Sequence, residues 1–229
     1  MSLVGLNIGT HDSLSAKTRR YADYYRQLVN RTIKDVYDDE VVTLYNCFYG
    51  TAVERVTLPK CTYLANVSTV GSFLSCKKLS YVDLPELQRI GTNAFQNTAL
   101  LTSVFFPKVT EAGISAFANS NIETVNLPMC TLVRDHCFNP CAKLKEIKIP
   151  ICREIKLRAF YSCSSLEKIF LDGVTAVPTL GTDALTGTPD TMKIIVPDAL
   201  VDSFKAATNW STYASRIIGV SEYEATQAQ

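Results

Sequence analysis

A block of about 22 residues recurs along most of this 229-residue chain, and that period constrains the fold more than any single residue does. Phe48, Phe73, Phe95, Phe117, Phe138 and Phe160 mark it, and Leu185 continues the series, at spacings of 25, 22, 22, 21, 22 and 25. Eleven or twelve residues after each mark comes a proline: Pro59, Pro85, Pro107, Pro128, Pro150 and Pro197, with Asp172 standing where the column lacks one. A unit this short cannot bury its own apolar face, so the copies must stack on one another as a solenoid. A solenoid displays side chains over an extended surface, which favours binding over catalysis.

Within the unit the pattern reads A-F-x-x-C-x-x-L-x-x-I-x-L-P. Full copies include Ala159-Phe160 with Cys163, Leu166, Ile169 and Leu171, and the run Leu79, Val82, Leu84, Pro85. The alternation I-x-L is the two-residue period of a strand with one face buried. Proline then ends the strand, having no N–H for the ladder. Seven such strands, from Val53–Leu58 to Thr191–Val196, are expected to stack in one parallel sheet. This pattern over residues 41–197 resembles the BspA-type leucine-rich repeat family. The resemblance implies a bacterial surface or secreted protein of adhesin type. Similar repeats with similar end segments in prophage-encoded proteins imply a phage-associated setting as the alternative.

A stacked core needs lids. Residues 1–40 are read as a capping helix and lead-in, 41–197 as the repeats, and 198–229 as a helical cap and tail. In the first segment Tyr21, Tyr25 and Leu28, with Tyr24 beside them, make a helical stripe over 13–30, and Ser13 or Ser15 suits its N-cap. The alternative for that stripe is the end of a coiled stalk or an oligomerising helix. An incomplete strand over Ile33–Val36 then leads into the first rung. At the far end Leu200, Phe204 and Ala207 have helical spacing, Trp210, Tyr213 and Ile217 predict a second short helix, and 222–229 reads as a frayed tail. The fold class is therefore α+β: a solenoid of about seven repeats with a parallel sheet and helical caps at both ends.

Lys and Arg total 23 against 22 Asp and Glu, so no global field attracts nucleic acid or an anionic membrane. No apolar run approaches the ~18 residues of a membrane span, so membrane insertion is not expected. Met1-Ser2-Leu3 runs into polar sequence around His11 rather than into a secretory leader.

The eight cysteines fall into three columns of the repeat. Cys76, Cys141 and Cys163 follow the phenylalanine by three residues, Cys61, Cys130 and Cys152 follow the proline by two, and Cys47 and Cys137 precede the phenylalanine. Other copies place Ala, Ser, Thr, Leu or Val in these slots, as expected of small buried groups. Reduced, core-packed thiols are the reading, although Cys130 with Cys152 and Cys141 with Cys163 are column neighbours within disulfide reach. Cys137-x-x-x-Cys141 beside His136 lacks a second ligand pair at zinc spacing. Asp38-Asp39-Glu40 reads as a solvated turn. No nucleophile elbow, metalloprotease motif or phosphate loop is present, so no catalytic residue, metal or cofactor is assigned.

What remains is a surface. Side chains flanking the central strand residue should point outward. They form one column of Arg55, Tyr81, Ser103, Thr124, Glu146, Lys168 and Lys193, and another of Thr57, Asp83, Phe105, Asn126, Lys148, Phe170 and Ile195. Tyr81 and Phe105 are expected side by side on neighbouring rungs, with Asp83 a further candidate binding residue, and Phe170 with Lys148 and Lys168 is expected to make a second cluster. Aromatics beside charges are common anchors for protein and sugar ligands. The bland alternative is ordinary surface aromatics, or aromatics covered by a lid or partner. Longer turns over 60–72 and 173–184 are expected to bulge from one side of the stack. The expectation is thus a non-enzymatic binding or adhesion module for a protein or glycan partner. A structural part of a phage tail or cell-envelope assembly is the alternative, and the oligomeric state is left open.

Overall fold

The computed structural model describes residues 34–66 and 69–228. The helix expected over 13–30, like His11, lies outside them. Each rung of the stack carries a three-residue strand and a two-residue strand, alternating along the chain. The longer set is β1 (Asp35–Tyr37), β3 (Arg55–Thr57), β5 (Tyr81–Asp83), β7 (Ser103–Phe105), β9 (Thr124–Asn126), β11 (Glu146–Lys148), β13 (Lys168–Phe170), the four-residue β15 (Lys193–Val196) and a final β16 (Ile217–Gly219). The shorter set is β2 (Thr43–Leu44), β4 (Tyr63–Leu64), β6 (Arg89–Ile90), β8 (Glu111–Ala112), β10 (Leu132–Val133), β12 (Glu154–Ile155) and β14 (Thr179–Leu180).

The molecule is a solenoid of parallel strands with two walls. The short strands form an unbroken seven-stranded back sheet from β2 to β14. The long ones form the front wall, in two pieces: β1–β3–β5 and β7–β9–β11–β13–β15–β16. The expected single sheet of seven strands is therefore a front wall in two pieces, extended by a strand at each end, with a separate sheet behind it. β1 holds the place of the expected incomplete strand, with Val36 registering on Val56.

Between the walls the repeat phenylalanines form one stack. Neighbouring rings from Phe48 to Phe160 lie 5.1–5.4 Å apart and within 12° of parallel. Each is held by its own backbone. The Phe73, Phe95, Phe117, Phe138 and Phe160 N–H groups donate to the residue before the next mark, at 2.7–2.8 Å. Three residues on, the column reads Thr51, Cys76, Thr98, Ser120, Cys141, Cys163 and Thr188, all buried. Every member has an O–H or S–H. Cys76 Sγ donates to the Phe48 carbonyl at 2.8 Å, Cys141 Sγ to Phe117 at 2.9 Å and Cys163 Sγ to Phe138 at 3.2 Å. In this column the thiol is thus a donor that ties one rung to the one before it, not merely a small apolar filler.

The C-terminal segment closes the last rung with a mixture of elements. A 3-10 turn (Asp198–Leu200) and α1 (Val201–Ala206) bring Phe204 edge-on to Trp210, at 5.1 Å. Trp210 Nε1 donates to the Pro178 carbonyl at 2.7 Å, and Asn209 Nδ2 to the Leu180 carbonyl at 2.6 Å. Ser211–Arg216 is a kinked 3-10 segment. Ile217, expected on a helix, starts β16 instead, and Ile217 and Ile218 register on Ile194 and Ile195. The β-branched pair finds an open sheet edge to extend, and burial there outweighs the helical spacing. The segment expected to fray is instead helical over its described part: Val220–Gln227 is an α-helix, α2, whose first turn is anchored by Ser221 N–H and Oγ donating to the Asp198 carboxylate at 3.2 and 2.7 Å.

The two long turns do not bulge from one side. Phe73 comes nine residues after Leu64, against five between Ile90 and Phe95, so the first insertion follows the back strand. Leu180 precedes Leu185 by the usual five, so the second insertion, around Thr175–Pro178, precedes the back strand.

Candidate functional site

The front wall projects the two side-chain columns read from the sequence except at Ile195, which is buried in β15 where the C-terminal helix α2 packs, and its break falls among the residues singled out there. Elsewhere in this wall the residue after a long strand donates its N–H to the next rung. Leu58 donates to Asp83 at 3.0 Å, Phe106 to Asn126 at 3.1 Å, Leu127 to Lys148 at 2.9 Å and Ile149 to Phe170 at 3.1 Å. The corresponding bond from Leu84 to Phe105 is missing, and β5 and β7 do not pair. Behind them β6 and β8 pair normally, so the opening is confined to the front.

Phe106 marks this break. It is fully buried in the column that holds Leu58, Leu84, Leu127, Ile149, Leu171 and Val196 in other rungs, and its ring stacks on Phe95 at 6.0 Å and 21°. A ring where neighbouring rungs carry aliphatic side chains needs more room between the walls. Val82, the central residue of β5, is half-buried, whereas Val56 and Val125 are buried.

Tyr81 and Phe105 flank the opening, 40% and 61% exposed, with Asp83 half-buried between the columns. They are not side by side. Tyr81 registers on Arg55 at the start of its strand, and Phe105 ends β7 in the other column. The Arg55 guanidinium lies over the Tyr81 ring at 4.2 Å and near Asp35 at 3.8 Å. The structure does bring Lys148, Lys168 and Phe170 together. Lys148 Nζ lies 5.1 Å from the Phe170 ring centre, and Glu146 sits 3.4 Å from Lys148 and 3.7 Å from Lys168. Tyr223 of α2 stands edge-on to the same ring at 5.4 Å, leaving Phe170 half-buried. No sequence signal marked that contact, because α2 was read as a tail.

The remaining titratable groups have structural surroundings. All eight cysteines are buried and unpaired. Burial pushes Cys61 and Cys76 up to about 11, and Cys47, Cys130, Cys141 and Cys152 up to about 12. Such thiols are not activated nucleophiles. Cys137 is raised well above its ordinary value, and the neighbouring His136 Nδ1 bonds Asn139 Nδ2 at 2.8 Å. Asp38, expected in a solvated turn, is 5% exposed: Oδ1 accepts the Glu40 N–H at 2.8 Å and Oδ2 has no partner, so desolvation raises its pKa. Among the described residues, no three His, Cys, Asp or Glu groups are placed to hold a metal, and no helix is long and apolar enough to cross a membrane.

This architecture of short parallel rungs with a repeated phenylalanine has a match among known families. The profile described as a BspA type leucine rich repeat region fits residues 68–191, in six copies. The chain belongs to the BspA-type leucine-rich repeat family. No curated protein matches it. Among solved structures, this BspA-type protein is similar to a leucine-rich repeat protein from Bacteroides ovatus, at 22% identity and a TM-score of 0.48, over 73% of this chain and 54% of that one. It spans about half the length of that protein. It is also similar to the pneumococcal vaccine antigen PcpA, at 13% identity and a TM-score of 0.37, over 80% of this chain and 71% of that one. A third is a leucine-rich cell surface protein from Faecalibacterium prausnitzii, at 16% identity and a TM-score of 0.30, over 87% of this chain and 84% of that one.

Proposed function

We propose that this BspA-type protein is a non-enzymatic binding module that uses its front wall to hold a protein or glycan partner at a bacterial surface. The observation that carries this reading is the opening between β5 and β7. It combines the most exposed large aromatic among the described residues, Phe105, with the accessible Tyr81, the half-buried Val82 and the carboxylate of Asp83. Exposed apolar area rimmed by polar groups is the usual composition of a recognition surface. The second cluster, Lys148, Lys168 and Phe170, lies farther along the same wall and would extend the contact of a long ligand. Repeat proteins of this kind are often surface binding proteins, which agrees with that use.

The test is a glycan and matrix-protein array probed with wild type and with a folded Tyr81→Ala, Phe105→Ala double variant. Binding by wild type that the variant loses is the expected result. Equal binding by both would remove this face from consideration and direct attention to the turns at 60–72 and 173–184.

A further inference from the structure

The break in the front wall is a slot that is clamped shut behind. At the same two rungs β6 and β8 are paired, Arg89 reaches Glu111 at 3.4 Å, and Arg134 Nε donates to Glu111 from the next rung at 2.7 Å. Gly91 and Gly113 let these rungs sit close: a Cβ on Gly113 would lie 2.5 Å from the Ile90 carbonyl oxygen. Between the walls the Phe95 and Phe117 rings are 5.2 Å apart. In front, most Cα–Cα distances between β5 and β7 exceed 8 Å. Paired strands lie about 4.8 Å apart, so two strands with a third between them stand about 9.6 Å apart. The opening at the surface is close to the width of one strand.

The facing edges carry unused main-chain groups. Ser80 and Tyr81 N–H donate to the Glu54 carbonyl, and Glu123 and Thr124 N–H to that of Thr102, at 2.7–3.2 Å. The equivalent bonds from Thr102 and Ser103 to the Ser80 carbonyl are absent among the described residues, as is the one from Leu84 to Phe105. Leu84 is 2% exposed, so its N–H is poorly placed to be satisfied by water. An unpaired ladder edge is a template for a further strand.

The side chains around the slot are also unmatched. Val82 is a half-buried apolar floor where the central residues Val56 and Val104 are buried. Elsewhere on this wall a cation seats on the ring of the next rung in its own column: Arg55 over Tyr81 at 4.2 Å, and Lys148 over Phe170 at 5.1 Å. Among the described residues Phe105 has no such cation and Asp83 has no ion-pair partner.

We propose that the slot takes one extended segment of a partner protein as an added strand. An apolar residue of that segment covers Val82, and a Lys or Arg beside it lies between the Asp83 carboxylate and the Phe105 ring. Its carbonyls accept from the Leu84, Thr102 and Ser103 N–H groups, and its N–H groups donate to the Ser80 and Phe105 carbonyls. This inference rests on the front-wall reading above and narrows its partner from protein or glycan to protein.

The experiment is a titration of the 15N-labelled chain with a capped peptide copying residues 144–150, a rung segment whose Lys148 belongs to the column of Asp83 and Phe105. Parallel arms use the same peptide with alternate backbone amides N-methylated, and a Lys148→Glu peptide. Saturable shifts of the Leu84 and Ser103 amides, with new exchange protection of Leu84, are expected. Binding should be at least about tenfold weaker for the N-methylated peptide, equivalent to about 1.4 kcal/mol. It should be about two- to fivefold weaker for the Lys148→Glu peptide and for an Asp83→Asn chain. An unmoved Leu84 amide, or equal affinity for the N-methylated peptide, would overturn the proposal. So would full affinity in a Phe106→Leu chain whose Leu84 amide is already protected, since a joined ladder leaves no slot. The front-wall reading is judged separately by the array: a glycan bound by wild type and lost by the Tyr81→Ala, Phe105→Ala variant would keep that reading and exclude the added strand.

Discussion

The Phe106 ring stacks on Phe95 at 6.0 Å, at the one rung where the front ladder is interrupted among the described residues. Phe106→Leu gives this rung the side chain that Leu58, Leu84 and Leu127 supply elsewhere. The expected result is a joined ladder, read as new protection of the Leu84 amide against hydrogen exchange, with stability changed by less than about 1.5 kcal/mol. An unprotected Leu84 together with a loss of about 3 kcal/mol would show Phe106 to be simple filling and not a wedge.

Phe138 is sandwiched between Phe117 and Phe160, at 5.1 Å from each and within 4° of parallel. Truncating Phe138 to Ala should cost about 3–5 kcal/mol in a denaturant titration, and exchange protection should fall in the adjacent rungs as well as its own. A loss below about 1 kcal/mol would contradict the coupling of the stack.

For Cys141 the discriminating pair is Ser against Val. Its Sγ donates to the Phe117 carbonyl at 2.9 Å and contacts Ser120 Oγ at 3.5 Å. Serine keeps the donor and should stay within about 1 kcal/mol of wild type. Valine keeps the bulk but removes one of two donors to the Phe117 carbonyl, which still accepts the Ser120 N–H at 3.0 Å, so it should cost about 0.5–1.5 kcal/mol more. The opposite order in urea midpoints would return these thiols to the role of apolar filler.

Alkaline pH should destabilise the fold. The ordinary value of these thiols is 9.0, and burial raises six of them to about 11 or 12. Above about pH 9 the unfolded chain therefore loses thiol protons that the folded chain keeps, so unfolding releases protons and stability falls with rising pH. Below about pH 8 the contribution is fully present and flat. Each thiol adds about 1.4 kcal/mol per pH unit to the fall up to its folded value. Urea midpoints that hold constant from about pH 8 to about pH 10 would show the thiols to be exposed.

Much of the core was legible because it repeats. Phenylalanine, small polar or thiol, leucine and proline recur at fixed offsets, and a column that recurs in every copy is either core or turn whatever its partners are. The back sheet was not legible. Strands of two residues such as Arg89–Ile90 are too short to show a period, and they exist because rungs already aligned by their phenylalanines bring those segments within bonding distance. The same holds for Ile217–Gly219, whose strand character depends on the open edge of Lys193–Val196.

By itself, then, the sequence determined the repeat, the buried columns and the outward-facing strand positions as far as β13, since these follow from local periodicity and the need of each copy to be covered by the next; Ile195, read as outward, is buried by the C-terminal segment. Tertiary structure alone decided the break between Asp83 and Ser103, the seat of Tyr223 on Phe170 and the Arg89–Glu111–Arg134 row. Each involves residues on different rungs, about one repeat or more apart in the chain, and each depends on how far one rung sits from the next. That spacing is set by the volume of groups such as Phe106 and by the absence of side chains at Gly91 and Gly113, and no local pattern encodes it.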